Sequence, residues 1–255
     1  MEHARVRAEI ETWGTILFID VASTIVGEED LRAGLEECRL FFYYVDDAFS
    51  TYKPESQVSL LRSGKLSLPD CDDSVQEVWA ACEYAKSVSD GYFDPWCVEG
   101  GFDPSGYVKG WAADKCADML VAAGVQHCQV NAAGDLALRG GWFDSAAGVV
   151  KPWSIGVVNP DDRGEVVKVY EITDGAIATS GTYERGAHIH DPLNGLIAIG
   201  AKSATVVGAE GWLCDAMATA VMVGGQDSAK WFGQSDLQGY QVFAVNRHEQ
   251  SAWEI

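Results

Sequence analysis

The chain has 255 residues, 47 % of them hydrophobic and 22 % charged, which supplies a globular core and excludes a disordered or fibrous protein. Its formal net charge of −20 sets the surface against nucleic-acid phosphates and anionic lipid. The same charge repels an anionic cofactor, so a dinucleotide would need a metal ion or backbone N–H groups at its phosphates.

In chain order, the first residues, Met1 to Ile10, lack the apolar segment of a signal peptide and a cysteine placed for lipidation, and no apolar run reaches bilayer length. The expected location is the cytoplasm. Residues 12–22 read as a strand rich in β-branched and aromatic side chains. Leu31, Leu35, Cys38, Phe42, Val45 and Phe49 then recur at three- and four-residue steps, the stripe of an amphipathic helix. Pro54 disfavours a helical Lys53 and closes that pattern.

A second helix is expected from about Ser74 to Val88, with Val75, Val78, Trp79, Cys82 and Ala85 inward and Asp90-Gly91 as its stop. A Gly-, Asp- and Pro-rich loop spans Gly91 to Gly106, and a third helix runs from about Val108 to Ala123, ending at Gly124. Later strands are expected at Gln129–Leu138, Trp153–Val158, Ala176–Ser180, Leu196–Val207 and Tyr240–Asn246, with a helix at about Gly211–Val223. Without repeats or linkers, residues 1–255 read as one α+β domain. The seven cysteines, an odd number with no Cys-x-x-Cys pair, read as reduced thiols.

Four segments could carry chemistry. In Asp215-Ala-Met-Ala-Thr219 a carboxylate and a hydroxyl share one helix face and are hard oxygen ligands suited to Mg²⁺; alternatively Thr219 bonds back to its helix and Asp215 faces water. Two Phe-Asp-Pro units stand nine residues apart, in Gly91-Tyr-Phe-Asp-Pro95 and Gly101-Phe-Asp-Pro104, with Lys109 just beyond. They suit a nucleotide approached closely by backbone, or are two ordinary turns. The run His188-Ile-His190-Asp191 offers a general base, a Zn²⁺ site, or a surface strand with two histidines. Asn131-Ala-Ala-Gly-Asp135 reads as a tight turn, and is neither a dinucleotide fingerprint nor a Walker loop.

Taken in order, Trp13-Gly-Thr15, Phe49-Ser-Thr-Tyr-Lys-Pro54, Gly91-Tyr-Phe-Asp-Pro95, Val108-Lys-Gly-Trp-Ala-Ala-Asp114, Asn131-Ala-Ala-Gly-Asp135, Ala178-Thr-Ser-Gly181, His188-Ile-His-Asp-Pro192 and Cys214-Asp-Ala-Met-Ala-Thr-Ala220 resemble the ApbE-type FAD:protein FMN transferases. The likeness covers most of the chain. It implies a single-domain, T-fold-like α+β architecture with antiparallel sheets and packed helices. It also implies a Mg²⁺-dependent transfer of FMN from FAD to a Thr or Ser hydroxyl of an acceptor protein, with AMP released. Carried onto this chain, the metal ligands are Asp215, Thr219 and the carbonyl of Gly106. The FAD contacts are Tyr52, Tyr92, Phe93, Asp94, Asp103, Lys109 and Ile189, with Trp13 able to stack on a flavin or adenine ring. His188 is the residue that activates the acceptor hydroxyl.

Three departures stand out. Trp13-Gly14-Thr15 replaces the family's common Met-Gly-Thr. Asp103-Pro-Ser-Gly-Tyr-Val108 replaces Asp-Leu-Gly-Ala-Ile-Ala. His190 is an added histidine where His-Ile-Ile-Asp-Pro is usual. The same site could serve an FAD pyrophosphatase, in which water replaces the hydroxyl, and a flavin-binding protein without turnover is the non-enzymatic alternative.

Overall fold

Val6 and Ile10 alternate with charged neighbours along residues 4–12, the period-two pattern of a strand with one buried face. In the structure, a computed structural model describing residues 3–182, 189–247 and 251–255, this segment is β1 (Ala4–Thr12), paired antiparallel with β2 (Thr15–Ser23). The expected strand over 12–22 is therefore corrected. Its first residues form a hairpin turn, because Trp13 and Gly14 adopt φ of 54° and 70° and Thr12 pairs with Thr15. Two successive positive φ values match the right-handed twist of flanking strands.

Helix α1 (Glu28–Phe49) buries the whole expected stripe from Leu31 to Phe49. Glu28, Glu29 and Asp30 sit in its first turn, where the helix dipole favours negative charge. A short α2 (Gln57–Arg62) is followed by α3 (Asp73–Val88), which buries Val75, Val78, Cys82 and Ala85 while Trp79 is only half-buried. Helix α4 (Ser105–Ala122) starts three residues earlier than expected and bends at Gly106, where φ −88° and ψ 22° leave the helical range.

The span expected as one strand over 129–138 is two, β3 (His127–Ala132) and β4 (Asp135–Arg139), separated by Ala133 and Gly134 at φ 58° and 102°. The Asn131 side chain accepts the Gly134 N–H at 2.8 Å, so the predicted tight turn is present. Two hairpins follow: β5 (Trp142–Asp144) with β6 (Val149–Lys151), and β7 (Trp153–Val158) with β8 (Val166–Ile172). Next come β9 (Gly175–Gly181), β10 (Ala201–Gly208), α5 (Gly211–Gly224), β11 (Gln241–Asn246) and β12 (Ala252–Glu254). The strand expected from Leu196 begins only at Ala201, since residues before it contribute one bridge, between His190 and Ile197.

Among the described residues, eight strands form an antiparallel sheet in the order β1-β2-β3-β4-β9-β10-β11-β12. Helices α1, α4 and α5 pack on it, and a second apolar cluster around Leu138, Trp153, Tyr170 and Phe243 lies beneath the β7–β8 hairpin. Helices α4 and α5 approach at backbone distance: a Cβ on Gly110 would lie 2.1 Å from the Gly211 carbonyl oxygen. Asp114 of α4 accepts the N–H groups of Gly211 and Trp212 at 2.6 and 3.2 Å, satisfying the exposed amides that open α5. That clamp places Lys109 of α4 beside Asp215 of α5. Among the described residues no helix is long and apolar enough to cross a membrane. All seven cysteines are free, six of them buried.

Candidate active site

The kink at Gly106, the middle of α5 and the small-residue strand β9 meet at the floor of a cleft of about 330 Å³. Asp215 is buried there, 2 % exposed. Its Oδ2 accepts the Gly110 N–H at 3.3 Å and its Oδ1 lies 3.7 Å from Lys109 Nζ. Both contacts are longer than a normal charge-assisted bond. Burial and the neighbouring Asp135 carboxylate push the Asp215 acid up from its ordinary value, and Lys109 pulls it back.

One helical turn on, Thr219 Oγ1 stands 3.2 Å from Ser180 Oγ, and a Cβ on Gly106 would come within 2.8 Å of it. An under-partnered buried carboxylate beside a hydroxyl and an irregular backbone fits a hard divalent cation, which takes oxygen ligands. Among the described residues no group of three His, Cys, Asp or Glu side chains could hold a metal ion. A cation here would therefore draw on hydroxyl and carbonyl oxygens as well as Asp215.

Lys109 is fixed by an ion pair with Asp135, whose other oxygen accepts the Thr179 N–H at 3.3 Å. Asp135 is 1 % exposed. A tight turn at 131–135, as the sequence reads, gives Asp135 no role in the site. Thr179 and Ser180 were missed in the same way. The signal available was the pairing of two short Gly- and Ala-containing motifs that are far apart in sequence and joined only by the β4–β9 pairing.

The same cleft is lined by Tyr52, Tyr92, Phe93, Asp94, Asp103, Gly106, Lys109, Ile189, His190, Asp215 and Thr219, so the structure brings together nearly all the expected site residues. Asp94 is held by Lys86 at 2.6 Å and accepts the Trp96 N–H at 2.9 Å. Asp103 accepts the N–H and hydroxyl of Ser105 at 3.0 and 2.5 Å. Both carboxylates thus shape the loop as well as lining the space. Phe93 is buried, Tyr52 is 86 % exposed at the rim, and Tyr92 packs on Trp231 with ring centroids 5.2 Å apart.

Trp13 lines an adjoining cleft of about 590 Å³ that shares Thr51, Tyr52, Ser105 and Lys109 with the first. Its indole N–H donates to the Phe42 carbonyl at 3.3 Å and its ring stands edge-on to Phe42. His188 lies outside the described residues. His190 is exposed at the cleft wall.

Comparison with known proteins agrees with this geometry. A model of the ApbE family matches residues 99–244, more than half of the chain. The chain belongs to the ApbE family. It is 34 % identical over 135 residues to a FAD:protein FMN transferase of Vibrio cholerae, a match covering 49 % of this chain and 39 % of that protein. It is 31 % identical over 235 residues to one of Treponema pallidum, covering 82 % and 63 %. The matches thus span less than two thirds of these relatives' own length. Among solved structures, the flavin transferase ApbE from Vibrio cholerae superposes with a TM-score of 0.82 at 22 % identity, covering 100 % of this chain and 97 % of that one. The ApbE protein from Thermotoga maritima gives 0.83 at 22 %, covering 98 % and 96 %. These likenesses establish the ApbE fold, a mixed helix and antiparallel-sheet architecture.

Proposed function

We propose that this ApbE-family chain, acting as one domain over residues 1–255, transfers the FMN half of FAD to a Thr or Ser hydroxyl of an acceptor protein and releases AMP. One arrangement carries the reading: Gly106 and Lys109 of α4 and Asp215 and Thr219 of α5, two pairs about a hundred residues apart, line one cleft. Asp215, Thr219 and the Gly106 carbonyl are the proposed holders of Mg²⁺, which when bound neutralises the pyrophosphate and acts as a Lewis acid on it.

The chain's own groups supply positioning and charge, which phosphoryl-type transfer needs more than covalent help. Lys109, anchored by Asp135, offers a fixed ammonium to the phosphates in a protein of net charge −20. Tyr52, Tyr92, Phe93, Asp94, Asp103 and Ile189 hold the dinucleotide, with Trp13 in the adjoining cleft placed for a ring. The acceptor oxygen forms a bond to the FMN-side phosphorus as the bond from that phosphorus to the oxygen of AMP breaks. The hydroxyl proton passes to His188, a group suited to neutral pH. Seven unpaired thiols suit a reducing compartment, and we place the reaction in the cytoplasm.

The test is incubation with FAD and Mg²⁺, with and without an acceptor, followed by mass analysis of acceptor and nucleotides. An acceptor that gains FMN, with AMP release lost in Asp215→Ala, supports the reading. AMP and free FMN without acceptor modification make the protein a pyrophosphatase. Intact FAD throughout overturns both. Full transfer by a His188→Ala/His190→Ala double variant removes the assigned base.

A further inference from the structure

Helix α3 stops at Asp90-Gly91, two successive left-handed residues with φ of 52° and 83°. Gly91 takes that conformation freely, whereas Asp90 carries a Cβ where L side chains are disfavoured. The chain then turns into Tyr92, Phe93 and Asp94, which line the cleft. Backbone bonds close the turn, from the Gly91 N–H to the Lys86 carbonyl at 2.8 Å and from the Tyr92 N–H to that of Ser89 at 3.0 Å. These bonds fix the path of the chain and leave the direction of the Tyr92 ring to its neighbours.

One such neighbour is Trp231, in the 3₁₀ segment Gly225–Gly233 and 141 residues further along the chain than Asp90. Its indole N–H donates to Asp90 Oδ2 at 2.9 Å, and its ring packs on that of Tyr92. Trp231 is 1 % exposed, so the bond to Asp90 satisfies a donor that burial has taken from water. Gly224, at the end of α5, makes room for both rings: a Cβ there would lie 3.0 Å from Trp231 Cη2 and 3.3 Å from Tyr92 Cδ1. Val223, the residue before it, lines the cleft as well. Trp231 thus stands behind the lining and joins the turn after α3 to the last turn of the helix that carries Asp215 and Thr219. Lys230 also reaches Asp90 Oδ2 at 2.9 Å, but both side chains are at least half exposed, and such a pair contributes little.

A residue in a disfavoured backbone state persists where its surroundings hold it, and such positions gather at binding sites. We propose that Asp90 and Trp231 are positioning residues for FAD: the bond between them holds the left-handed turn and sets the Tyr92 ring for the dinucleotide. The inference rests on the transfer reading above, which makes Tyr92 an FAD contact.

The experiment titrates FAD by flavin fluorescence into the wild type, Asp90→Gly, Asp90→Asn, Trp231→Phe, Tyr92→Ala and the Tyr92→Ala/Trp231→Phe double variant. The unfolding midpoint and kcat and KM for AMP release are followed in parallel. Asp90→Gly frees the backbone and removes the acceptor. Asp90→Asn keeps an oxygen for the indole N–H, tolerates the left-handed turn and removes the Lys230 ion pair. Trp231→Phe keeps a buried ring and removes the donor. Asp90→Gly and Trp231→Phe are each expected to weaken FAD binding about fivefold or more, through KM with kcat within about twofold. Asp90→Asn is expected to stay within about twofold of the wild type. In the Tyr92→Ala background, Trp231→Phe is expected to cost no further FAD affinity, because the ring it positions is gone. Unchanged FAD affinity in folded Asp90→Gly and Trp231→Phe overturns the inference and leaves the function standing. So does a loss in Asp90→Asn as large as in Asp90→Gly, or additive effects of Trp231→Phe and Tyr92→Ala, as general loss of packing would give. If Trp231→Phe fails to fold, Asp90→Gly in both Tyr92 backgrounds decides by the same criteria. A wild type that binds FAD and shows the expected pattern without transferring FMN overturns the function and keeps the positioning role. A wild type that binds no FAD overturns both.

Discussion

Gly106→Ala tests the proposed metal site through geometry alone. A Cβ at this position would stand 2.8 Å from Thr219 Oγ1 and 3.5 Å from both Thr219 Cβ and the Phe93 ring. Relief to an ordinary contact of about 3.5 Å moves the hydroxyl by roughly 0.7 Å. Ligand distances at a metal are tolerant to only about 0.2 Å, and loss of ligand support costs roughly 10–100-fold in affinity. Stability responds much less. The backbone angles of −88° and 22° are open to alanine, and the gain of about 0.4–1 kcal/mol from the unfolded-state entropy that a glycine carries offsets part of an overpacking cost of about 1–3 kcal/mol. The assay is a Mg²⁺ titration of AMP release, beside thermal unfolding without metal. Gly233→Ala is the control, since nothing lies within 4 Å of its Cβ. A Gly106→Ala protein with the wild-type Mg²⁺ requirement would refute the placement of the metal at Thr219 and Gly106.

Gly110→Ala drives a Cβ to 2.1 Å from the Gly211 carbonyl oxygen and 2.9 Å from Trp212 N. Because backbone cannot step aside, it is expected to destabilise by about 3 kcal/mol or more, and an unchanged urea midpoint would contradict the close helix contact. Lys109→Met leaves Asp135 and Asp215, 1 and 2 % exposed, without their shared cation. Breaking such a buried pair costs about 3–5 kcal/mol, and saturating Mg²⁺ should restore part of it in a melting experiment by binding the folded state. Asp114 is raised from 3.8 to about 6, chiefly by burial, with Arg139 and the Trp212 and Gly211 amides opposing. The folded state thus holds that proton more tightly than the unfolded chain, so the contribution of Asp114 to stability is full below about pH 4 and is lost, by up to about 3 kcal/mol, as the pH rises to about 6. Asp114→Asn keeps an acceptor for the α5 amides and should flatten this slope in urea titrations across that window. A slope that persists would assign the titration to another group.

Much of this was legible from local pattern. The α1 stripe, α3, β7, the stop at Gly124 and the carboxylate–hydroxyl pair on α5 follow from spacing, because a helix or strand repeats its buried face at a period set by backbone geometry. The order of short motifs, from Trp13-Gly-Thr15 to Cys214-Asp-Ala-Met-Ala-Thr-Ala220, carried the family. The hairpin at Trp13-Gly14 escaped, since only one residue of the pair is a glycine and the flanking residues read as continuous strand, whereas the turn at 131–135 is legible from Asn131 and Gly134 and only its splitting of the strand expected over 129–138 is not. What only the tertiary structure decided is which charges are buried and against what. Asp135 looks like a turn residue until β4 pairs with β9 and delivers it to Lys109. Gly110 looks like a weak point in a helix until Gly211 is found against it. Burial and electrostatic partnership are properties of contacts between segments about a hundred residues apart in the case of Gly110 and Gly211, and no local period encodes them.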